Sequence, residues 1–425
     1  MSEFYSKLIS PHKYFFAFLF ILTVGLYLRF YGIESYPDKA FGWDQARDAW
    51  KVRDILKGML VLDGPKTGIG NMHLGPLYFY LLAPFFALTK LDPVASIYFT
   101  IVVNIITFVT LYLVAKKLFS EKAAIFAVFL YGTSNYIIKQ NQIPWNVSLV
   151  PATSILLFYT LFRIRTGGGK YWYILLGILT GLFFHLHFTA VFLPPIILLS
   201  LFPFGKNIKN FLLLCGSFAI AAFFLIPTLI FDLKSSHGEF YKYSDFIKHY
   251  MHGFHLRFFL LRLTDAFVQF KLIIFFSLGK ILQYVIPFLF GFVLLFEKDK
   301  TKKLIGLLML PWFLIPVIFF TIYAGPISDY YFLLQAPLVI FVLIYLQQKL
   351  LKKFPYLLLP LVFLWIFYAY YNTKEFWIKT TGGGLDKQKQ EAAERVRSGN
   401  PILFHEGDIK SYLYVIWTED STKKN

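Results

Sequence analysis

The chain has 425 residues, 57% of them hydrophobic, with 51 Phe and 28 Tyr; long apolar runs recur from end to end, which excludes a soluble globular domain and marks a polytopic membrane protein. The net charge of +18 comes mostly from short Lys and Arg clusters between those runs, a pattern that orients membrane helices and implies no nucleic-acid partner. One cysteine, Cys215, lies inside an apolar run, allows no intrachain disulfide and reads as a small buried residue.

Lys7 and Lys13 flank the start of the first apolar run, and no small-x-small cleavage site follows it, so it reads as an uncleaved anchor. Eleven spans are predicted, roughly at 14–31, 94–115, 122–138, 147–163, 171–187, 188–204, 210–232, 279–296, 304–323, 331–348 and 355–371. With the N-terminus in the cytoplasm, every inside loop is basic, holding Lys116, Lys117 and Lys122, then Arg163, Arg165 and Lys170, then Lys206 and Lys209, then Lys298–Lys303, then Lys349, Lys352 and Lys353. The short outside loops hold Lys139 alone, so the positive-inside rule is met at each alternate turn and the C-terminus falls outside. Residues 76–88 are apolar but short, with Pro84 in the middle; they read as a surface helix, since counting them as a span would reverse every later loop.

The expected fold is thus an all-α polytopic membrane protein with surface helices in the first and fourth outside loops, 32–93 and 233–278. The membrane domain covers 1–372, and 373–425 form a small extracytoplasmic α/β tail. In that tail Thr380 to Gly384 read as a link, 385–397 as a helix, and 401–404 and 412–417 as strands.

The chemistry is concentrated in the first outside loop. Residues 43–58 have helical periodicity ended by Gly58, and Asp44 stands at the start, where a carboxylate caps a helix. Asp48 and Asp54 read as partners of Arg47, Lys51 and Arg53 on a solvated face. Then come Gly58, Pro65, Gly68 and the run His73-Leu74-Gly75-Pro76-Leu77-Tyr78-Phe79-Tyr80. This order resembles GT-C membrane glycosyltransferases of the protein O-mannosyltransferase and lipid A aminoarabinose transferase branch (glycosyltransferase family 39-like). There the first outside loop carries an Asp-Glu pair, a helix, and a His/Lys-Pro-Pro-Leu-like motif leading into a surface helix. The resemblance maps the first acidic residue to Asp44 and the Arg of the Asp-Glu-Ala-Arg form to Arg47, while Gln45 replaces the second acid. Lys139 to Asn146 are similar to the family's second outside loop, and Gly181 to Thr189, with His185 and His187, also look like members of the group.

What the resemblance implies is transfer of a sugar from a polyprenyl-phosphate donor to an extracytoplasmic protein, glycan or lipid, at the plasma membrane, with inversion and a single base, Asp44. Negative charge gathers on the departing phosphate and needs cations; Lys139, Arg47, His73 and Lys66 are the candidates, although Lys139 reads equally as an interfacial lysine. Candidate substrate-binding residues are Arg47, Lys66, His73, Lys139, Asn146, His187, Asp329, Tyr330 and Tyr331, the last two for the sugar. No cofactor is required, and a divalent metal, though possible, has no sequence support. His185 and His187 fall on different helix faces, and His249, His252 and His255 lack acidic or thiol co-ligands; that basic, aromatic segment reads as a helix on anionic lipid headgroups. The alternative to a transferase is a lipid-glycan flippase or a polymerase. Transporters tend to carry internal repeats and mid-membrane charges, which this chain lacks.

Overall fold

The computed structural model of the chain describes residues 12–35, 42–68, 72–202, 208–234, 238–251, 279–377 and 384–398, with isolated positions at 259, 267–268, 270, 273 and 412–413. It is helical throughout. Among the described residues the only β pairings are the isolated antiparallel bridges Lys66–His73 and Met251–Tyr323.

Helix α1 (Lys13–Phe30) is apolar on nearly every side yet buries Arg29 completely. The outer segment follows, with a 3-10 turn at Ile33–Ser35, α2 (Trp43–Leu56) and α3 (Leu77–Leu88). Then come α4 (Val94–Leu118), α5 (Glu121–Thr133), α6 (Asn135–Asn141), α7 (Val150–Arg165), α8 (Lys170–Leu186) and α9 (Leu193–Leu201). They are succeeded by α10 (Ile208–Phe224), α11 (Ile226–Lys234), α12 (Glu239–Tyr250), α13 (Gly279–Leu295), α14 (Lys300–Ile322), α15 (Ala336–Lys353), α16 (Leu358–Thr373) and α17 (Leu385–Ser398).

By length and apolarity, five helical stretches among the described residues can cross a membrane alone, and the pair α10–α11, bent by 45°, makes a sixth. Four shorter apolar helices, 77–88, 170–186, 188–201 and 281–295, accompany them. Among the described residues, not every one of the eleven predicted spans is a single unbroken helix. The predicted span at 122–138 breaks at Ser134, whose hydroxyl caps α6 by accepting the Ile137 N–H. Arg29 holds the break: its guanidinium donates to the Tyr131 and Gly132 carbonyls at 2.8 and 3.0 Å, to Gly25 O, and to Asn141 Oδ1. Carbonyls freed at a helix end inside the apolar region need such donors. The span at 188–204 likewise opens as a 3-10 turn, Phe188–Phe192, before nine-residue α9.

Helices α8 and α10 approach closely because Gly177 and Gly181, four apart, face α10; a Cβ on Gly177 would stand 2.5 Å from Ser217 O, and one on Gly181 2.7 Å from Phe224. Helix α10 buries only Leu214, Ser217 and Ala221. Cys215, expected to be buried, is exposed on the opposite face. Phe15, Phe20, Phe288, Phe292, Phe363 and Ile366 are exposed on α1, α13 and α16, an outward apolar surface suited to lipid.

Beyond the membrane helices, α17 is present as expected. Of the predicted strands, 401–404 lie outside the described residues, and Tyr412 and Leu413 are helical rather than extended. Leu385, Ala392, Tyr412 and Leu413 join the apolar cluster of α2 and α3, Lys389 pairs with Asp92, and Tyr412 meets Trp50 edge-on and donates to Leu91 O.

Candidate active site

Helix α2 is held from its first residue. Gly42, not Asp44, is its N-cap, and the Gly42 N–H is taken by Gln45 Oε1 at 2.8 Å. Gln45 Nε2 then donates to Pro144 O at 2.9 Å, so this buried amide ties the helix start to the loop carrying Trp145 and Asn146. Asp44 is left outside the capping role, with its carboxylate 56% exposed and 2.8 Å from Arg47 Nη1.

Arg47 bridges two carboxylates. Its Nε and Nη2 both donate to Asp48 Oδ1, at 2.9 and 2.7 Å. Asp48, expected on a solvated face, is only 2% exposed, because it shares the buried side of α2 with Gln45, Ala49 and Val52. One turn before Val52 and three residues after Gln45, it falls on the side of the helix that packs inward. Burial pushes its carboxyl up to about 7 against the pull of Arg47, and Asp44 adds to the rise. The same burial, with the negative Asp48 nearby, raises the Tyr78 phenol well above its usual range.

Residues 64–67 and 72–74 pair as a short ladder: Gly64 N–H donates to Leu74 O, Leu74 N–H to Pro65 O, and Thr67 N–H to Met72 O. Gly64 runs against Gly75, and a Cβ there would stand 2.1 Å from Gly75 O. His185 fastens the next turn. Its Nε2 lies 2.7 Å from Phe224 O and its Nδ1 accepts the Leu77 N–H at 3.3 Å, so α3, α8 and α10 meet at one ring.

These elements enclose a cleft of about 680 Å³, open solvent at its mouth included. Its walls include Asp44, Arg47, Lys66, Asn146, His187, Tyr330 and Tyr331, with Trp145, Phe246 and Tyr323. Tyr330 packs on Trp145 (4.9 Å between ring centres), on His187 (5.5 Å) and on Tyr331 (4.8 Å). Helix α12 closes one side by laying Phe246 against Tyr323. The tautomer of His187 follows from its neighbours: a backbone N–H can only donate, so Nδ1 accepts from Thr189 N, and the ring proton sits on Nε2. Asn146 is oriented by donating to Leu186 O. Lys66 is exposed and has no ion-pair partner among the described residues.

Three of the candidate residues stand elsewhere. His73 lines an adjoining cleft with Arg47, Lys51, Asp63 and Lys66, 4.0 Å from Asp63 and edge-on to Phe231. Lys139, on α6, points toward the end of α16 and pairs with Glu375 at 2.8 Å. Asp329 is not on the cleft wall; its backbone oxygen accepts from Tyr136. Asp63, which the sequence did not single out, pairs with Lys51 at 2.9 Å. Among the described residues no three His, Cys, Asp or Glu side chains gather as a metal site.

Residues 73–231 match the family model of dolichyl-phosphate-mannose-protein mannosyltransferases. That stretch runs from His73, at the end of the ladder, into α11, so it holds Asn146 and His187, while Asp44 and Arg47 precede it. No curated protein matches the chain in sequence. Among solved structures it is similar to ArnT from Cupriavidus metallidurans bound to undecaprenyl phosphate, with a TM-score of 0.59 and 10% identity over 96% of this chain and 76% of that one. It is also similar to the Archaeoglobus fulgidus oligosaccharyltransferase in complex with Zn and sulfate, with a TM-score of 0.55 and 14% identity over 91% of this chain. The chain spans just over half, 56%, of that second structure. The chain resembles the GT-C glycosyltransferases of the mannosyltransferase and ArnT branch, and the likeness to the two solved structures is one of fold.

Proposed function

We propose that this chain, with the fold of a GT-C glycosyltransferase, moves a sugar from a polyprenyl-phosphate donor to an acceptor outside the cytoplasm. The observation that carries the reading is the meeting of Asp44, Arg47, Lys66, His187 and the Tyr330–Tyr331 pair around one cleft. A solved relative of the same fold holds undecaprenyl phosphate, which supports a polyprenyl-linked donor here.

In this reading Asp44 takes the proton of the acceptor nucleophile, which attacks the anomeric carbon from the side opposite the phosphate. The carbon–oxygen bond to the phosphate breaks and the configuration inverts. The charge left on polyprenyl phosphate is met by the Lys66 ammonium, by Arg47 and by the His187 Nε2–H. Tyr330, Tyr331 and Trp145 supply the aromatic wall for the sugar, and Asn146 a polar group beside it. The phosphate travels on the leaving group, so the scheme assigns the chain no cofactor. We place the cleft and the C-terminal segment outside the cytoplasm, the N-terminus inside, and the chain in the plasma membrane with eleven crossings, some of them broken, on the alternation of basic loops.

The test is Asp44→Asn. Transfer from a short-chain polyprenyl-phosphate sugar should fall by about 100-fold or more, the scale of general-base catalysis, while donor binding stays within about twofold. Transfer at the wild-type rate would remove Asp44 from the mechanism.

A further inference from the structure

The resemblance places a second acid next to Asp44, and this chain has Gln45 there. Gln45 is not available for chemistry, since its amide is spent on Gly42 and Pro144. The nearest other carboxylate is one helical turn on. Asp44, Arg47 and Asp48 stand at i, i+3 and i+4 on α2, so their side chains share one face, and Arg47 touches both acids with separate nitrogens. Asp48 Oδ2 is buried and makes no hydrogen bond, and the Tyr78 hydroxyl is buried in the same condition. Asp48 therefore has one strong partner, and that partner lines the cleft.

We propose that Asp48 is a positioning residue of the transfer site: by holding Arg47 through two hydrogen bonds it keeps that cation from closing wholly onto Asp44, and its protonation hands Arg47 over. The proposal rests on the reading of Asp44 as the base. The groups that face Asp48 are Arg47 and Asp44 on its own helix and Tyr78 on α3; from α4 the uncharged Phe99 packs edge-on against Tyr78. With Asp48 ionised, one cation is shared by two anions and Asp44 keeps its electron pair for the acceptor. With Asp48 neutral, the full charge of Arg47 falls on Asp44, which becomes a poorer base. Activity should then rise with pH, with an inflection near the value of about 7 at which the buried carboxyl ionises. The sign follows from the deprotonated form being the active one.

The experiment follows kcat between about pH 5.5 and 8.5, a window that brackets that titration, for wild type and Asp48→Asn. Wild type should pass through the inflection, and D48N should run flat at the low-pH level, about tenfold lower at the alkaline end, as one unit of lost basicity predicts. D48N that tracks wild type in both level and inflection overturns the proposal. Should the variant not fold, a wild-type profile that is flat through pH 7 overturns it instead. A readout without substrate separates this from the functional reading. Phenylglyoxal labelling of Arg47 at alkaline pH, read by peptide mass spectrometry and carried out with Asp44→Asn in both proteins so that Asp44 cannot take the guanidinium, should be severalfold faster when Asp48→Asn is added. Equal labelling rates mean that Asp48 does not hold Arg47, whether or not the protein transfers sugar.

Discussion

Gly75 leaves no room on the side where a Cβ would stand, 2.0 Å from His185 Nδ1. That ring ties the start of α3 to the ends of α8 and α10, so Gly75→Ala is expected to cost about 1–3 kcal/mol, the usual penalty of overpacking, and to lower the thermal midpoint in detergent. Activity should fall with it, because the short ladder that presents Lys66 is anchored at the same point. Single positions also mark where sequence reading reached its limit. That Asp44 and Arg47 belong to one site was legible only through the family resemblance. The burial of Asp48 depended on which side of α2 meets α3, and a stretch so rich in charge reads as solvated until that packing is known. Lys139 and Asp329 were placed near the cleft by the family resemblance of their outside loops; the Ser134 break turns α6 so that Lys139 faces Glu375 instead.

Helix α17 and the short turn at Tyr412 brace α2 from behind, through Trp50, while Asp44 and Arg47 look the other way into the cleft. Ending the chain after Trp377 removes Leu385, Ala392, Tyr412 and Leu413 from that cluster. The expected result is a protein that still inserts, with a lower thermal midpoint and a kcat reduced by roughly threefold to tenfold, since a small drift of α2 misplaces the base; the truncated and full chains can be compared in one transfer assay. Elements were legible where long apolar runs or clean periodicity fixed them, as in α1, α2, α4, α14 and α16. They were not legible where one polar atom decides. The Ser134 hydroxyl ends an apolar run that composition alone would continue.

At the scale of the whole molecule, the alternation of basic loops makes a topological prediction. In a Cys215→Ser background, Lys139→Cys should react with a membrane-impermeant maleimide added to intact cells, and Lys302→Cys only after lysis; the reverse order would invert the chain. The pairing of α1 with α5 bears on how the protein is made. Arg29 finds its acceptors at Tyr131 and Gly132, 102 and 103 residues later in the chain, and a guanidinium within an apolar helix is costly until it is hydrogen-bonded. At ordinary translation speeds those carbonyls emerge roughly 5–20 s after the arginine. Until then, of its acceptors in the fold, the arginine has only the Gly25 carbonyl of its own helix, so the first helix completes its polar contacts only once α5 is in place beside it.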